Sequence, residues 1–181
     1  MGRPEIFKTL HMAEGMYMNI LFDPSLPSDS LDRWQAEVVC EGSKPGVGTF
    51  SVPPHWHKKH SEKMTVIEGR IKVTIDGKEK IVGPGERITI PAYTVHSIAG
   101  FKGERLVCRE RADPSGDYKA AFFNDLLARG WPTPFLYSMR VFYDGDIYPS
   151  LGLGWKGFDV AFVTVFGLIA KLFMPEKQKL Q

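Results

Sequence analysis

The chain has 181 residues, the length of one domain with at most a short appendage. Its 23 basic and 21 acidic residues leave a net charge of +2, which argues against a nucleic-acid partner. Hydrophobic residues make up 43% of the chain and charged residues 24%, and this composition excludes a disordered protein.

The cysteines and the first residues bear on the cellular compartment. Cys40 and Cys108 are too few for a disulfide framework, so we assign both a structural role. Residues 1–15 contain no apolar run, so we expect no signal peptide. Together these features predict a protein of a reducing compartment, the cytoplasm.

Short segments of strand-like sequence fill the first part of the chain. In 71–75 apolar and polar residues alternate, which is typical of a half-buried strand, and Asp76-Gly77 behind it is a strong hairpin signal. Strands are predicted at 17–22, 34–41, 63–68, 71–75, 81–82, 87–91, 95–98 and 105–111. Strands this short and this closely spaced favour a sandwich or a closed barrel, so an all-β domain is predicted for 1–113.

A turn cluster at 113–116 marks a change of composition, and helical patterns follow it. Residues 118–129 predict a helix, with Asp117 as its N-cap and with Gly130 and Pro132 as its stop. Residues 114–181 are therefore predicted to form a helical extension that packs on the barrel or lies at a dimer interface.

The extension contains a long apolar stretch. Residues 131–158, rich in proline, glycine and aromatic residues, allow no assignment, whereas 159–174 are mostly apolar. The uninterrupted apolar run, 160–170, is too short to cross a membrane comfortably. We favour a helix that packs on the barrel or against a second copy. The alternative is membrane association through 151–174, or a lid for a lipophilic substrate. The last six residues predict a solvated tail.

Three of the five histidines lie within six residues of each other, at His55, His57 and His60. On an extended strand His55 and His57 face the same side, because side chains alternate. Glu62 follows five residues after His57. Imidazole and carboxylate groups together suit a divalent transition metal, although a His-x-His pair alone is more often a polar loop.

The wider context of these residues strengthens the metal interpretation. Gly48 is followed after six residues by His55-x-His57, after four more by Glu62, and after six more by Gly69. A second group follows the hairpin, and it consists of Pro84-Gly85-Glu86, Ile90-Pro91-Ala92 and His96. The two motifs, in this order, resemble those of the cupin superfamily.

The resemblance implies a jelly-roll β-barrel with one metal ion, bound by His55, His57, Glu62 and His96. It covers residues 45–112 in detail. Tyr93 stands where the family usually has glycine, Gly100 stands where it has asparagine, and the spacer after Gly48 is one residue longer than usual. None of these departures removes a ligand. The alternative is a barrel of the same family that has lost its metal.

Strand alternation suggests what surrounds the metal. Met64 and Val66 share the face of Glu62, and Ile98 shares the face of His96. These residues together predict an apolar substrate pocket, with Tyr93 beside its mouth or simply packed there, although for any single apolar residue an ordinary core position is the better interpretation.

The other polar residues near the motifs receive weaker assignments. His60 does not fit the ligand spacing, so it is predicted to be exposed or placed behind the ligands. Arg109 and Arg111 are predicted to lie on a solvated strand face, with a substrate carboxylate as the alternative partner.

Three imidazoles and one carboxylate leave about two open positions on an octahedral ion. Such an ion polarises carbonyls, stabilises enolates and, as Fe(II), binds O₂, and Glu62 can also serve as a general base. We favour an Fe(II) oxygenase for a small apolar metabolite, although Zn, Ni or Mn also suit these ligands. The alternatives are a non-oxidative Zn or Ni isomerase, cyclase or dehydratase, and a metabolite-binding module. A homodimer is expected.

Overall fold

The structure is a computed structural model that describes residues 4–130 and 132–180. Within these residues, the strands in chain order are β1 (Glu5–Ala13), β2 (Met16–Phe22), β3 (Trp34–Glu41), β4 (Ser51–Trp56), β5 (Ser61–Glu68), β6 (Ile71–Ile75), β7 (Lys78–Val82), β8 (Arg87–Ile90), β9 (His96–Ala99), β10 (Arg105–Asp113) and β11 (Tyr148–Pro149). The helices are α1 (Tyr118–Leu127), α2 (Phe135–Gly145) and α3 (Lys156–Lys171).

The strands form two antiparallel sheets. The six-stranded sheet has the order β1-β2-β3-β10-β5-β8, and the five-stranded sheet has the order β11-β4-β9-β6-β7. The apolar core includes side chains of both sheets, and Ile20, Val66, Ile71, Val73 and Val82 have no solvent exposure. The predicted all-β jelly-roll fold with a helical extension is confirmed.

Two turns show why the sequence folds in this way. Asp76 and Gly77 both have a positive φ, at 45° and 80°, and they connect β6 to β7 as the predicted hairpin. Gly69 also has a positive φ of 73°, and a Cβ atom there would lie 2.1 Å from the carbonyl oxygen of Arg105. Gly69, the last glycine of the first motif, is therefore required because β10 passes too close for a side chain.

Helix α1 lies against the barrel. Its residues Ala120 and Leu127 belong to the same buried apolar cluster as the strands. The helix occupies the predicted region, and Gly130, with a φ of 78°, follows its end. Asp117 occupies the predicted N-cap position, and its carbonyl accepts from the backbone N–H of Ala121 at 2.8 Å, but its side chain makes no capping hydrogen bond.

Helix α2 lies in the segment without an assignment, and it joins α1 to α3. The buried side chains of Arg140 in α2 and Asp125 in α1 form an ion pair, and the Tyr137 hydroxyl donates to the Asp125 carbonyl at 2.7 Å. Gly167 allows α3 to approach α2 closely, since a Cβ atom there would lie 2.5 Å from Cβ of Tyr143.

The two sides of α3 differ strongly. Asp159, Val163, Gly167 and Ala170 are buried against the protein. The opposite side is apolar and exposed, at Phe158, Ala161, Val165, Leu168, Ile169 and Leu172. Among the described residues, no helix has the length and apolar character needed to span a membrane.

The end of the chain is exposed at residues 176–179, as predicted, but its backbone is bonded to α1. The backbone N–H of Gln178 donates to Asp125 at 3.0 Å, and Asn124 donates to the carbonyl of Lys179 at 3.1 Å. The predicted solvated tail is therefore attached to α1 by its backbone. Residue 181 lies outside the described part.

Candidate metal centre

The centre begins with two strands of the five-stranded sheet. His55 of β4 lies directly opposite His96 of β9 in the strand register, and their ring centroids are 4.2 Å apart. Pro53 and Pro54 fall in the irregular part of this pairing, between Val52 and His55, where the ladder is interrupted. The prolines are thus tolerated inside β4, and the strand presents His55 to the barrel interior.

His57 and Glu62 complete the group. His57 follows β4, and Glu62 comes from β5 in the other sheet. The Glu62 carboxylate lies 2.8 Å from Nε2 of His57 and 3.2 Å from Nε2 of His96. One ligand atom from each of the four predicted residues lies within 4.8 Å of all the others, and all four residues are buried.

Each of the three imidazoles is oriented by a backbone carbonyl. Nδ1 of His55, His57 and His96 lies 2.9 Å from the carbonyl oxygens of Pro53, Asp146 and Thr94, respectively. Because Nδ1–H donates to these carbonyls, Nε2 carries a lone pair whenever the ring is neutral. Hydrogen bonds of this kind set the tautomer of metal-binding histidines in general.

This donor set fits a cation. Nε2 of His57 is buried without a hydrogen-bond partner, although Oε1 of Glu62 lies only 2.8 Å away. Two acceptors face each other there, which is unfavourable unless a positive charge lies between them. Burial lowers the pKa of His55 to about 3 and that of His57 to about 4, so both rings are neutral near pH 7, as ligation requires.

The carboxylate and the third imidazole respond to their surroundings in opposite directions. Burial alone would raise the pKa of Glu62, but the Lys119 ammonium and the neighbouring imidazoles hold it well below its usual value. Burial would lower the pKa of His96, but its hydrogen bond to Glu62 raises it. Glu62 is therefore an anionic donor in the middle of the cluster.

Two residues outside the motifs join the site. Lys119 of α1 is buried, and its Nζ lies 2.5 Å from Oε1 of Glu62 and 3.0 Å from Oε1 of Glu110. The two carboxylates raise the pKa of Lys119 against the effect of burial. Burial and the charge of Glu62 raise the pKa of Glu110 to about 7. Sequence reasoning missed both roles, because a single lysine in a helix is usually solvated.

His60 is buried, so the option of an exposed side chain is wrong. Its Nδ1 lies 3.2 Å from Oδ2 of Asp146, and its Nε2 lies 3.2 Å from Nζ of Lys119. Asp146 also accepts hydrogen bonds from the backbone N–H groups of Lys58 and Lys59, at 3.3 and 2.7 Å. His57, His60 and Asp146 form a second group that could hold an ion.

A cavity of about 460 Å³ begins at the candidate metal site. Met64 and Ile98 line it, and α1 forms one wall. Val66 is buried in the core and is not among the lining residues, and Cys108 lines the cavity as a buried thiol. Burial raises the pKa of Cys108 to about 12, which does not favour a nucleophile.

Tyr93 lies outside the cavity. It is 52% exposed, has a φ of 62°, and stacks on Trp56 with ring centroids 5.7 Å apart. The left-handed backbone explains why glycine is usual at this position. Trp56 points away from the histidines and donates from Nε1 to Asp159 of α3 at 3.0 Å, which holds the extension on β4.

The two arginines of β10 are paired with acidic side chains. Nε of Arg109 lies 2.7 Å from Glu37, and Nε of Arg111 lies 2.5 Å from Asp32. Neither arginine lines the cavity.

Comparisons with known proteins agree with this description. A family model described as "Cupin domain" matches residues 45–108. Mannose-1-phosphate guanylyltransferase of Escherichia coli (strain K12) is 40% identical over 70 residues, which are 39% of this chain and 14% of that protein. Quercetin 2,3-dioxygenase of Bacillus subtilis (strain 168) is 40% identical over 43 residues, which are 24% of this chain and 13% of that protein. The chain thus matches only a small part of the length of these curated relatives.

Among solved structures, KdgF from Halomonas sp. is 19% identical to this chain. The superposition covers 61% of this chain and 88% of that chain, with a TM-score of 0.46.

Proposed function

We propose that this chain, a member of the cupin superfamily through residues 45–108, is a mononuclear metal-dependent enzyme that acts on a small, largely apolar organic molecule. The observation that carries the proposal is the convergence of three imidazole Nε2 atoms on one buried carboxylate, at the end of an apolar cavity. A purely structural zinc site is usually closed and rich in cysteine, which this group is not.

In this proposal His55, His57, His96 and Glu62 hold the ion. A divalent ion supplies Lewis acidity and, if it is Fe(II), a binding position for O₂. Burial keeps His55 and His57 neutral, backbone carbonyls orient all three rings, and the ammonium of Lys119 holds Glu62. The apolar wall, with Met64 and Ile98, excludes water from the reacting molecule.

For the reaction we favour oxygen chemistry with Fe(II). The apolar cavity suits an aromatic or similarly apolar substrate, and the similarity to quercetin 2,3-dioxygenase over part of the barrel supports the same choice. The carboxylate of Glu62 is our candidate for moving a proton during the reaction, because it is the acidic group among the ligands.

Metal content tests the proposal. The protein is purified without chelators or an affinity tag, and its metals are measured by elemental analysis in the wild type, in His96→Ala and in His11→Ala. His11 is an exposed histidine of β1 and is the matched control. We expect about one ion per chain in the wild type and in His11→Ala, and loss of the ion in His96→Ala with the barrel still folded.

The identity of the metal decides the next assay. Iron leads to measurements of O₂ consumption with aromatic substrates. Zinc or nickel would overturn the oxygenase proposal in favour of an isomerase, cyclase or dehydratase, which is then assayed without O₂. If neither the wild type nor His11→Ala holds metal after reconstitution, a metabolite-binding module replaces the enzyme.

We also propose that the chain is a homodimer in which α3 contacts α3 of a second copy. The exposed residues Phe158, Ala161, Val165, Leu168 and Leu172 follow alternating steps of three and four, which is the spacing of a helix–helix seam. Sedimentation should show a dimer for the wild type and a monomer for Leu168→Glu. Ile81→Glu, on exposed β7, is the control and should stay dimeric. A monomeric wild type would contradict the proposal.

The compartment stays a prediction. Cys40 and Cys108 are buried free thiols, which is compatible with the reducing cytoplasm expected from the sequence.

A further inference from the structure

The charges of the cavity are concentrated at one end. Among the described residues that line it, the Asp, Glu, Lys and Arg side chains are Glu62, Glu110 and Lys119, and all three lie at the candidate metal site. The rest of the wall is mainly apolar, with methionine, valine, proline and phenylalanine side chains from the strands and from α1. A molecule that fills this space therefore meets charge at one end and an apolar surface elsewhere.

Lys119 is the positively charged side chain at this end of the cavity. Its Nζ contacts Glu62, Glu110 and His60 at 2.5, 3.0 and 3.2 Å. The rings of Phe122 and Phe123 lie 5.9 and 5.6 Å from it, and they also line the cavity. The ammonium is thus enclosed by the metal site on one side and by the apolar wall on the other.

The charge balance of this buried group depends on the ion. Without an ion, the two carboxylates Glu62 and Glu110 exceed the one ammonium, so the group has an excess of one negative charge. A divalent ion reverses the balance to an excess of one positive charge. An unbalanced buried charge is costly, so the group with its ion favours a ligand that brings negative charge.

We propose that the substrate is an amphiphilic anion, with an apolar body in the cavity and a carboxylate or enolate oxygen at the charged end, and that Lys119 is a specificity-determining residue for this anion. The inference rests on the proposed metal-dependent function, because the ion provides the excess positive charge. It excludes neutral apolar molecules as preferred ligands, and the apolar wall disfavours sugar phosphates, which would place several polar groups against it.

The test compares two probes that share an apolar body. Binding of 4-phenylbutyrate and of 4-phenylbutan-1-ol is measured by isothermal titration calorimetry, with zinc-loaded and with metal-free protein. We expect the acid to bind zinc-loaded protein about tenfold more tightly than the alcohol, and we expect no preference for the acid in metal-free protein. Equal affinities in zinc-loaded protein would overturn the inference.

A variant separates Lys119 from the ion itself. Lys119→Met keeps the length of the side chain and removes its charge, and Lys72→Met is the matched control on the surface strand β6. We expect the preference for the acid to fall by about fivefold in Lys119→Met and to stay unchanged in Lys72→Met. An unchanged preference in folded Lys119→Met would remove Lys119 from the proposal. If that variant does not fold, Lys119→Gln is used.

Failure of the two proposals is distinguishable in the same experiment. Protein that takes up no zinc contradicts the proposed metal-dependent function, whatever the probes do. Protein that takes up zinc and binds acid and alcohol equally retains that function and contradicts only the anionic substrate.

Discussion

The barrel and the helical extension contribute to the candidate metal centre in different ways. The barrel supplies His55, His57, Glu62 and His96, whose spacing along the chain is compact. The extension supplies Lys119, which is 57 residues from Glu62, and Asp146, which is 89 residues from His57. The candidate ligands lie within two sequence motifs, and carbonyls two residues away orient His55 and His96. The carbonyl that orients His57 and the ammonium beside Glu62 come from the extension, so the sequence motifs do not report them.

The largest change in stability is expected from breaking the buried ion pair that joins α1 to α2 within the extension. Asp125→Ala leaves the buried guanidinium of Arg140 with the longer contact to Asp144, at 3.9 Å, in place of its ion pair, so we expect the free energy of unfolding to fall by about 3–5 kcal/mol. Urea denaturation measures this change. Lys72→Ala breaks an exposed ion pair with Glu79 and should cost less than about 1 kcal/mol. A small effect of Asp125→Ala would mean that apolar contacts, and not this ion pair, hold α1 and α2 together.

The next effect concerns the barrel and its ion. If the ion binds only the folded protein, zinc at about 100 times its dissociation constant should raise the free energy of unfolding by about 2.7 kcal/mol. Removal of zinc with a chelator should reverse this gain and leave a folded barrel, because the apolar core does not depend on the ion. Unfolding upon chelation would show that the ion is a structural requirement.

A smaller effect tests the contribution of Asp146 to metal affinity. Asp146→Gly keeps the backbone carbonyl that orients His57 and suits the φ of 58°, but it removes the carboxylate that holds Lys58, Lys59 and His60. We expect zinc affinity to fall by about tenfold, measured by competition with a chromophoric chelator.

The isosteric variant is the control for this experiment. Asp146→Asn retains one acceptor oxygen and tolerates the same backbone, so its affinity should lie between those of Asp146→Gly and the wild type. Wild-type affinity in Asp146→Gly would mean that the carboxylate of Asp146 does not contribute to metal affinity, and would leave the contribution of the extension to Lys119 and to the backbone carbonyl of residue 146.

The smallest effect is expected at the departure from the family pattern. Tyr93→Gly relieves a left-handed backbone, which favours the variant, and removes the stacking on Trp56, which disfavours it. The two effects are each about 1 kcal/mol, so thermal denaturation should show little change in stability. A loss of metal in this variant would show that Tyr93 acts on the site and does not merely pack beside it.

Much of the barrel was predictable because its strands alternate and its turns contain the expected residues. The strands β1 and β4 were not predicted, because their sequences lack the usual alternation of apolar and polar residues. Strand β4 contains Pro53 and Pro54, which normally argue against a strand, and the irregular pairing that accommodates them is visible only in three dimensions. Strand β1 is an edge strand with mostly exposed side chains, so it lacks the apolar alternation of an inner strand.

The environment of the site was less predictable than its ligands. Lys119 lies in a helix with apolar neighbours, and only its contact with two carboxylates from β5 and β10 distinguishes it from a solvated lysine. His60 does not fit the ligand spacing, and its burial follows from the position of Asp146 at the end of α2. Both side chains are buried by contacts between segments far apart in the sequence, and such contacts cannot be predicted from the periodicity of apolar residues.

We propose that His55, His57, Glu62 and His96 hold the ion and that His60 and Asp146 only support this group. Zinc binding, with X-ray absorption of the bound zinc, tests this proposal in the wild type, in His96→Ala and in His60→Ala. We expect three imidazoles and one carboxylate around the zinc, loss of zinc in His96→Ala, and retention of the same ligands in His60→Ala. Retention in His96→Ala with loss in His60→Ala would place the ion at His57, His60 and Asp146 and contradict the proposed ligand set.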